Sequence, residues 1–171
     1  LGSTGFGVAH SAIVTAEVAG FDIKKMSVAI DGFGNVGEFA FRHLQEMGAK
    51  IVAVSGSRGG VYDEKGLDLK ILLKLKSKNK AVTEYPTGRK IKHSEIFELP
   101  VEILIPASVT DVINESNKNK IKAKIIVEGA NIPMRENIEN ELFKKGIIIV
   151  PDFVANAGGV TVSYFELVQN Q

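Results

Sequence analysis

The strongest chemical signal in the chain is the segment Gly32-Phe33-Gly34-Asn35-Val36-Gly37, which lies between an apolar run and an amphipathic one. In a strand-turn-helix context, Gly32 permits a tight turn and Gly34 lets the main chain approach a diphosphate, while Gly37 lets the helix pack closely on the strand. The amides that begin such a helix carry partial positive charge, which favours a phosphate group. The spacing predicts a dinucleotide site. The alternative interpretation is a glycine-rich turn without a ligand.

The acid that usually contacts the cofactor ribose is missing. Sites of this kind place Asp or Glu about 20 residues beyond the turn, where it accepts hydrogen bonds from the ribose hydroxyls. No carboxylate stands between Glu46 and Tyr62, and the next apolar run ends in Ser55-Gly56-Ser57-Arg58. A guanidinium and small hydroxyls suit a 2′-phosphate. We predict NADP or NAD as the cofactor, with NADP slightly favoured, Arg58 as charge partner and Ser55 or Ser57 as donors. Alternatively, Arg58 is an exposed loop residue and NAD binds without the acid.

Alternating strand-like and helix-like segments would hold these residues in place. The predicted strands cover residues 26–30, 50–55, 101–105, 123–127 and 146–150, and the predicted helices cover 4–19, 36–47, 67–76, 111–120, 135–145 and 158–169. Two short extended pieces, 61–62 and 88–91, are expected to pair. The alternation predicts an α/β fold, a doubly wound, Rossmann-like, mostly parallel sheet with helices on both faces, as one domain over residues 1–171.

Composition restricts the classes of partner. The 21 Lys and Arg residues balance 20 Asp and Glu, so the net charge of +1 predicts binding to neither nucleic acid nor membrane. A basic run, which consists of Lys70, Lys74, Lys76, Lys78 and Lys80, is interpreted as a solvated helix face and loop. The partner is expected to be a small molecule.

Cysteine is absent, and the three histidines are scattered. Without cysteine there are no disulfides or thiolate ligands, which favours a reducing cytoplasm. His10, His43 and His93 lack the spacing of metal ligands and are interpreted as surface or helix-face residues, so no metal is predicted. Because a helical pattern begins within a few residues of Leu1, we expect a domain of a longer polypeptide.

Three loops in the second half follow predicted strands: Ala107 and Ser108 after "ILIP", "VEGANIP" at 127–133, and "PDFVANAGGVTVSYFE" at 151–166. They should therefore lie at the carboxyl edge of the sheet, where open α/β sheets bind ligands. An isolated Asn131 or Asn156 could merely brace its own loop. In combination with the glycine turn, they are candidate ligand contacts.

The motifs "STGFGV", "GFGNVG", "ILIPAS", "EGANIP" and "PDFVANAGGVTVSYFE", in this order and at these intervals, resemble the nucleotide-binding domain of hexameric glutamate dehydrogenases of the Glu/Leu/Phe/Val dehydrogenase family. The resemblance covers nearly the whole chain. It implies reversible oxidative deamination of L-glutamate to 2-oxoglutarate and ammonia, with hydride transfer to the nicotinamide, in a homo-hexamer. No "GGGKG"-like lysine motif is present. The resemblance thus implies no catalytic residue in this chain, which should bind cofactor without turnover.

The resemblance also implies roles for individual residues. Thr4 would contact the nicotinamide carboxamide, and Asn131 the nicotinamide ribose. Asn156 would position the nicotinamide. The diphosphate would be held by Gly34, Asn35 and Val36, with Ala107 on the adenosine side. Val160 and Ser163 would reach the substrate.

The resemblance implies that Ser163 hydrogen-bonds the side-chain carboxylate of glutamate. A buried hydroxyl that faces an aliphatic side chain would be left without a hydrogen-bond partner, at a cost of about 1–3 kcal/mol. Ser163 therefore favours glutamate as the substrate. The alternatives are a leucine, phenylalanine or valine dehydrogenase of the same family and a non-catalytic dinucleotide sensor. The substrate-facing loop "NAGGVTVS" argues against the sensor. Gly56 departs from the family, since many relatives have an acid there.

Overall fold

Seven strands form one sheet in the order β4-β3-β2-β1-β5-β6-β7 in this computed structural model, which describes residues 2–159. The strands are β1 (Ser27–Asp31), β2 (Lys50–Gly56), β3 (Gly59–Tyr62), β4 (Arg89–Ile91), β5 (Ile103–Pro106), β6 (Ile125–Val127) and β7 (Ile148–Val150). The helices are α1 (Ser3–Val18), α2 (Asn35–Glu46), α3 (Leu69–Ser77), α4 (Glu136–Lys144) and the short α5 (Asp152–Ala155). The pairs β1–β2, β1–β5, β5–β6 and β6–β7 are parallel, whereas β3 and β4 run antiparallel at one edge.

The direction of winding changes beside β1. The chain continues from β1 to β2 on one side and later returns to β5 on the other. At the carboxyl end of β1, Asp31 lies opposite Ser55 of β2 and Pro106 of β5. The glycine turn and the loop that begins at Ala107 therefore meet at the switch point, where doubly wound sheets bind their ligands.

Both faces of the sheet are covered. Val28 and Ile30 of β1 belong to a core with α1 and α2, whereas Ala29 belongs to a second core with α4 and the 3₁₀ helix His93–Glu98. Strands buried on both faces need apolar residues at every position, which explains the continuous apolar runs of the sequence. The predicted doubly wound α/β fold is confirmed, and the pieces 61–62 and 88–91 pair as β3 and β4.

The helix predicted over residues 111–120 is wrong. This region forms turns and one 3₁₀ turn, Lys118–Lys120. The side chain of Asn117 accepts from the main-chain N–H of Asn114 and donates to the carbonyl of Val112, and Asn114 donates to the carbonyl of Asp111. Asparagine side chains thus take the main-chain partners that a helix would need. The helix predicted over 158–169 lies almost entirely outside the described residues.

Gly37 sets the distance between α2 and the turn after β1. A Cβ at this position would overlap the carbonyl oxygen of Gly32 and lie 3.2 Å from the side chain of Ile30. Gly32 itself has a φ of +98°. Gly34 differs from both, because its φ is −78° and no atom of the described residues lies within 4 Å of an added Cβ.

A buried carboxyl group, Glu128, connects β6 to the start of α5. Its Oε2 accepts a hydrogen bond from the main-chain N–H of Asp152 at 2.9 Å, whereas Oε1 has no partner within the described residues. Burial, together with the nearby charges of Glu139 and Asp152, raises the pKa of Glu128 from 4.5 to about 8. The side chain is therefore mainly protonated at neutral pH.

We expect Gly37→Ala to lower the free energy of unfolding by about 1–3 kcal/mol or more, because the methyl group meets main-chain atoms that cannot yield. The matched control is Gly34→Ala, which should leave stability unchanged to within about 0.5 kcal/mol. Urea denaturation of both variants measures the difference. Equal stabilities would contradict the packing described here.

We expect the wild-type free energy of unfolding to fall as pH rises from about 4.5 to about 8, since the folded state keeps the Glu128 proton and the unfolded state does not. Glu128→Gln should flatten this slope by up to about 1.4 kcal/mol per pH unit, because the amide has no proton to lose. Denaturation series across this range for both proteins measure the slopes. The same slope in both would show that Glu128 ionises normally.

Candidate dinucleotide site

The first turn of α2 supplies unpaired main-chain amides at the carboxyl edge of the sheet. Gly34 precedes the helix, and no side chain caps its first N–H groups. Such groups have no partner inside a helix and need an acceptor from elsewhere. The open space above Gly34 allows a ligand to approach the main chain there. The chemistry of a phosphate group, anionic and rich in acceptors, fits this arrangement.

A cavity of about 830 Å³ opens on one side of this turn. Its lining combines the turn with the ends of β2 and β5 and the loop after α3, through Gly32, Phe33, Gly34, Gly56, Ser57, Arg58, Gly59, Leu72, Lys76, Asn79, Lys80, Ala81, Val82, His93, Ser108 and Val109. Three of these are Lys or Arg, and none carries a carboxylate. The cavity is therefore suited to an anionic ligand.

The three cations of this cavity are held by neighbouring groups. The Arg58 guanidinium donates to the carbonyl of Asn79 at 3.1 Å, and the ammonium groups of Lys76 and Lys80 lie 2.7 and 2.8 Å from Glu38 and Glu84. Of the basic run interpreted as a solvated helix face and loop, Lys76 and Lys80 also line the cavity, with side chains that are 38% and 50% exposed. Sequence spacing alone could not show this, since the loop after α3 turns back over the end of β2.

A second cavity, of about 650 Å³, continues along the edge of the sheet and shares Ser108 and Val109 with the first. Its lining comprises Thr4, Val36, Ala107, Ser108, Val109, Thr110, Gly129, Ala130, Asn131, Asn156 and Gly159. The amide of Asn156 donates to the side-chain oxygen of Asn131 at 2.9 Å. Three residues from distant parts of the chain, Thr4, Asn131 and Asn156, are thus brought to one wall.

The predicted site residues other than Ser55 fall into three groups. One or both of the two cavities are lined by Thr4, Gly32, Phe33, Gly34, Val36, Ser57, Arg58, Ala107, Ser108, Asn131 and Asn156. Asn35 and Gly37 lie in the first turn of α2, outside both linings. Val160 and Ser163 lie outside the described residues.

Ser55, predicted as a possible donor to the cofactor, lies beneath the first cavity. It is fully buried, and its hydroxyl donates to the carboxylate of Asp31 at 2.7 Å. Ser57 is the neighbouring hydroxyl that lines the cavity. The structure therefore separates the two serines that the sequence could not distinguish.

Two polar residues of this edge, Asp31 and His93, were not predicted. Asp31 is fully buried, and Nε2 of His93 donates to it at 2.6 Å. His93 lies at the surface as interpreted, with a side chain that is 38% exposed, but it also lines the first cavity. One feature of the sequence could have indicated them: Asp31 stands at the end of a run of apolar residues. Charged residues rarely occupy such positions unless they are paired.

The described part of the chain holds neither a metal-ligand cluster nor a membrane-spanning helix. Within residues 2–159, no three His, Cys, Asp or Glu side chains are grouped so as to hold a metal ion. No helix in this range is long and apolar enough to span a bilayer.

Comparison with known proteins gives consistent relatives. The model of the family described as Glutamate/Leucine/Phenylalanine/Valine dehydrogenase matches residues 1–171. The chain is 51% identical over 169 residues to a glutamate dehydrogenase of Aeropyrum pernix, covering 99% of this chain and 40% of that protein. It is 44% identical to an NADP-specific glutamate dehydrogenase of Saccharolobus shibatae, with coverage of 99% and 40%.

Among solved structures, a hetero-hexameric glutamate dehydrogenase from Thermus thermophilus superposes with a TM-score of 0.89 at 29% identity, covering 98% of this chain and 39% of that one. The chain thus spans about 40% of the length of the relatives it matches. The family model matches all 171 residues, and the sheet of this chain holds the glycine turn at its switch point. The chain therefore belongs to the Glutamate/Leucine/Phenylalanine/Valine dehydrogenase family.

Proposed function

We propose that residues 1–171 are the dinucleotide-binding domain of a glutamate dehydrogenase. The observation that carries the proposal is the space at Gly34. Nothing in residues 2–159 requires glycine there, since its φ is −78° and an added Cβ would meet none of their atoms within 4 Å. A ligand that contacts the main chain directly would account for it. A dinucleotide diphosphate seated on the first turn of α2 is such a ligand.

The two cavities divide the dinucleotide between them. The first lies at the end of β2, where the adenosine ribose of such ligands is held, and the second takes the nicotinamide half. In the second cavity, the hydroxyl of Thr4 and the amides of Asn131 and Asn156 offer donors and acceptors for a carboxamide and a ribose. The bound dinucleotide supplies the hydride acceptor for oxidation of the substrate. The domain itself binds and orients it.

NADP is the cofactor we favour over NAD. The first cavity presents Arg58, Ser57, Lys76 and Lys80 and no carboxylate, which suits a 2′-phosphate better than a ribose hydroxyl alone. A relative that is 44% identical is described as NADP-specific. The guanidinium of Arg58 is the group we assign to the 2′-phosphate.

The proposed reaction of the whole enzyme is the reversible oxidative deamination of L-glutamate to 2-oxoglutarate and ammonia. Val160 and Ser163 are proposed to reach the substrate, and Ser163 is the reason to prefer glutamate over leucine, phenylalanine or valine. The lysine and aspartate for the proton chemistry are proposed to come from a separate substrate domain. A hexamer of identical chains and a cytoplasmic location are part of the same proposal. A hetero-hexameric relative supports an assembly of six subunits, and the cysteine-free composition supports the location.

We expect Gly34→Ala to weaken binding of NADP and of NAD by about tenfold, because its methyl group occupies the space of the diphosphate. Isothermal titration of the purified wild-type chain and variant measures the affinities. The wild-type chain should bind NADP yet show no glutamate-dependent formation of NADPH by absorbance. Wild-type chain that binds no dinucleotide, or that oxidises glutamate at an appreciable rate, would overturn the proposal.

We expect Arg58→Gln to weaken the binding of NADP by about tenfold or more and to change the affinity for NAD by less than about twofold. The reason is that a charge-assisted hydrogen bond to the 2′-phosphate is lost. The matched control is Arg89→Gln, an exposed arginine paired with Glu95 outside both cavities. Titration with both cofactors gives the ratio of affinities. If the wild-type chain binds NAD more tightly than NADP, the assignment of Arg58 fails.

A further inference from the structure

The buried carboxylate of Asp31 accepts hydrogen bonds from side chains in three different segments of the chain. Ser55 of β2 donates to its Oδ1 at 2.7 Å and Nε2 of His93 donates to the same oxygen at 2.6 Å, while the hydroxyl of Ser108, just after β5, donates to Oδ2. The side chain has no exposed surface. Its negative charge is therefore satisfied from within the protein and does not face a ligand in the cavity above.

The bond to Asp31 decides which nitrogen of His93 remains free. A carboxylate only accepts hydrogen bonds, so Nε2 of His93 must carry the hydrogen. In the described residues no group hydrogen-bonds Nδ1. That nitrogen accepts a hydrogen bond when the ring is neutral and donates one when the ring is charged.

The ring of His93 is also held in a fixed orientation. It packs edge-on against Phe97 with a centroid distance of 5.9 Å and an interplanar angle of 83°. Both residues belong to the 3₁₀ helix His93–Glu98, which packs against β1, β2 and β3. A ring fixed on one side by packing and on another by a carboxylate loses little freedom when it binds a ligand.

His93 lines the cavity in which the missing acid would stand. It lines the same cavity as Gly56, Ser57 and Arg58 at the end of β2. Dinucleotide sites normally place there the side chain that bonds the adenosine ribose. None of the described residues that line this cavity is an acid, but His93 offers an acceptor in its neutral form.

We propose that His93 binds the 2′ position of the adenosine ribose through Nδ1, and that Asp31 is the residue that positions its ring. The neutral ring accepts from a 2′-hydroxyl, and the protonated ring donates to a 2′-phosphate. His93 thus takes the place of the missing acid in this cavity and serves both cofactors. The inference rests on the proposed function, because it requires a dinucleotide in this cavity.

The test compares ADP with 2′-deoxy-ADP, which differ only in the hydroxyl that His93 is proposed to bond. His93→Phe keeps an aromatic ring against Phe97 but removes both nitrogens. We expect this variant to weaken the binding of ADP by about three- to tenfold and to change the affinity for 2′-deoxy-ADP by less than about twofold, as measured by titration calorimetry. The matched control is His43→Phe, a histidine of α2 that pairs with Glu46 outside both cavities.

A second pair of variants tests the positioning role of Asp31. Asp31→Asn should weaken ADP by about two- to fivefold, since the ring loses its charged partner, but should have no further effect in a chain that already carries His93→Phe. The double variant D31N/H93F also removes the carboxylate that His93→Phe alone would leave short of a donor. If His93→Phe alone does not fold, the affinities for ADP and 2′-deoxy-ADP are compared in this double variant instead.

The outcomes separate this inference from the proposed function. Equal losses for ADP and 2′-deoxy-ADP in His93→Phe, or no loss for either, would overturn the role of His93 while dinucleotide binding stands. Additive losses in Asp31→Asn and His93→Phe would overturn the positioning role of Asp31. A wild-type chain that binds neither ADP nor NADP would instead overturn the proposed function.

Discussion

The close approach of α2 to the turn after β1 is the constraint on which the site depends. Gly37 has no side chain, so the helix lies directly against the carbonyl of Gly32. On its other side, α2 packs on α1, where a Cβ at Gly5 would meet the carbonyl of Val36 at 2.7 Å. These contacts bring the free amides of α2 to the switch point of the sheet. A helix set farther away would leave the same amides without a cavity to face.

A buried charge stabilises the same edge. Moving a carboxylate out of water is costly unless donors replace its hydration. At Asp31 the replacements come from β2, the loop after β5 and the 3₁₀ helix His93–Glu98, which are far apart in the chain. The carboxylate thus fixes the relative positions of these segments. It also keeps Ser55 away from the cavity and holds His93 at its wall.

Local charge around the first cavity differs from the charge of the whole chain. The net charge is only +1, yet the cavity is lined by Arg58, Lys76 and Lys80 and by no acid. The acids that pair with the lysines, Glu38 and Glu84, are not part of its lining. A balanced composition therefore excludes a broad basic surface but says nothing about a pocket that a few cations reach from different elements.

The sequence by itself determined the strands, the glycine turn and the loops at the carboxyl edge. These follow from local patterns, because residues buried on both faces must be apolar and Gly37 must lack a side chain. The prediction from sequence failed at residues 111–120. There, asparagine side chains hydrogen-bond main-chain groups that a helix would need, and the spacing of apolar residues does not indicate this. Only the tertiary structure decided which of Ser55 and Ser57 lines the cavity, that Lys76 and Lys80 reach it, and that Asp31 holds His93. The places of Ser55 and His93 depend on contacts with Asp31, which is 24 and 62 positions away, and such contacts exist only after the sheet has assembled.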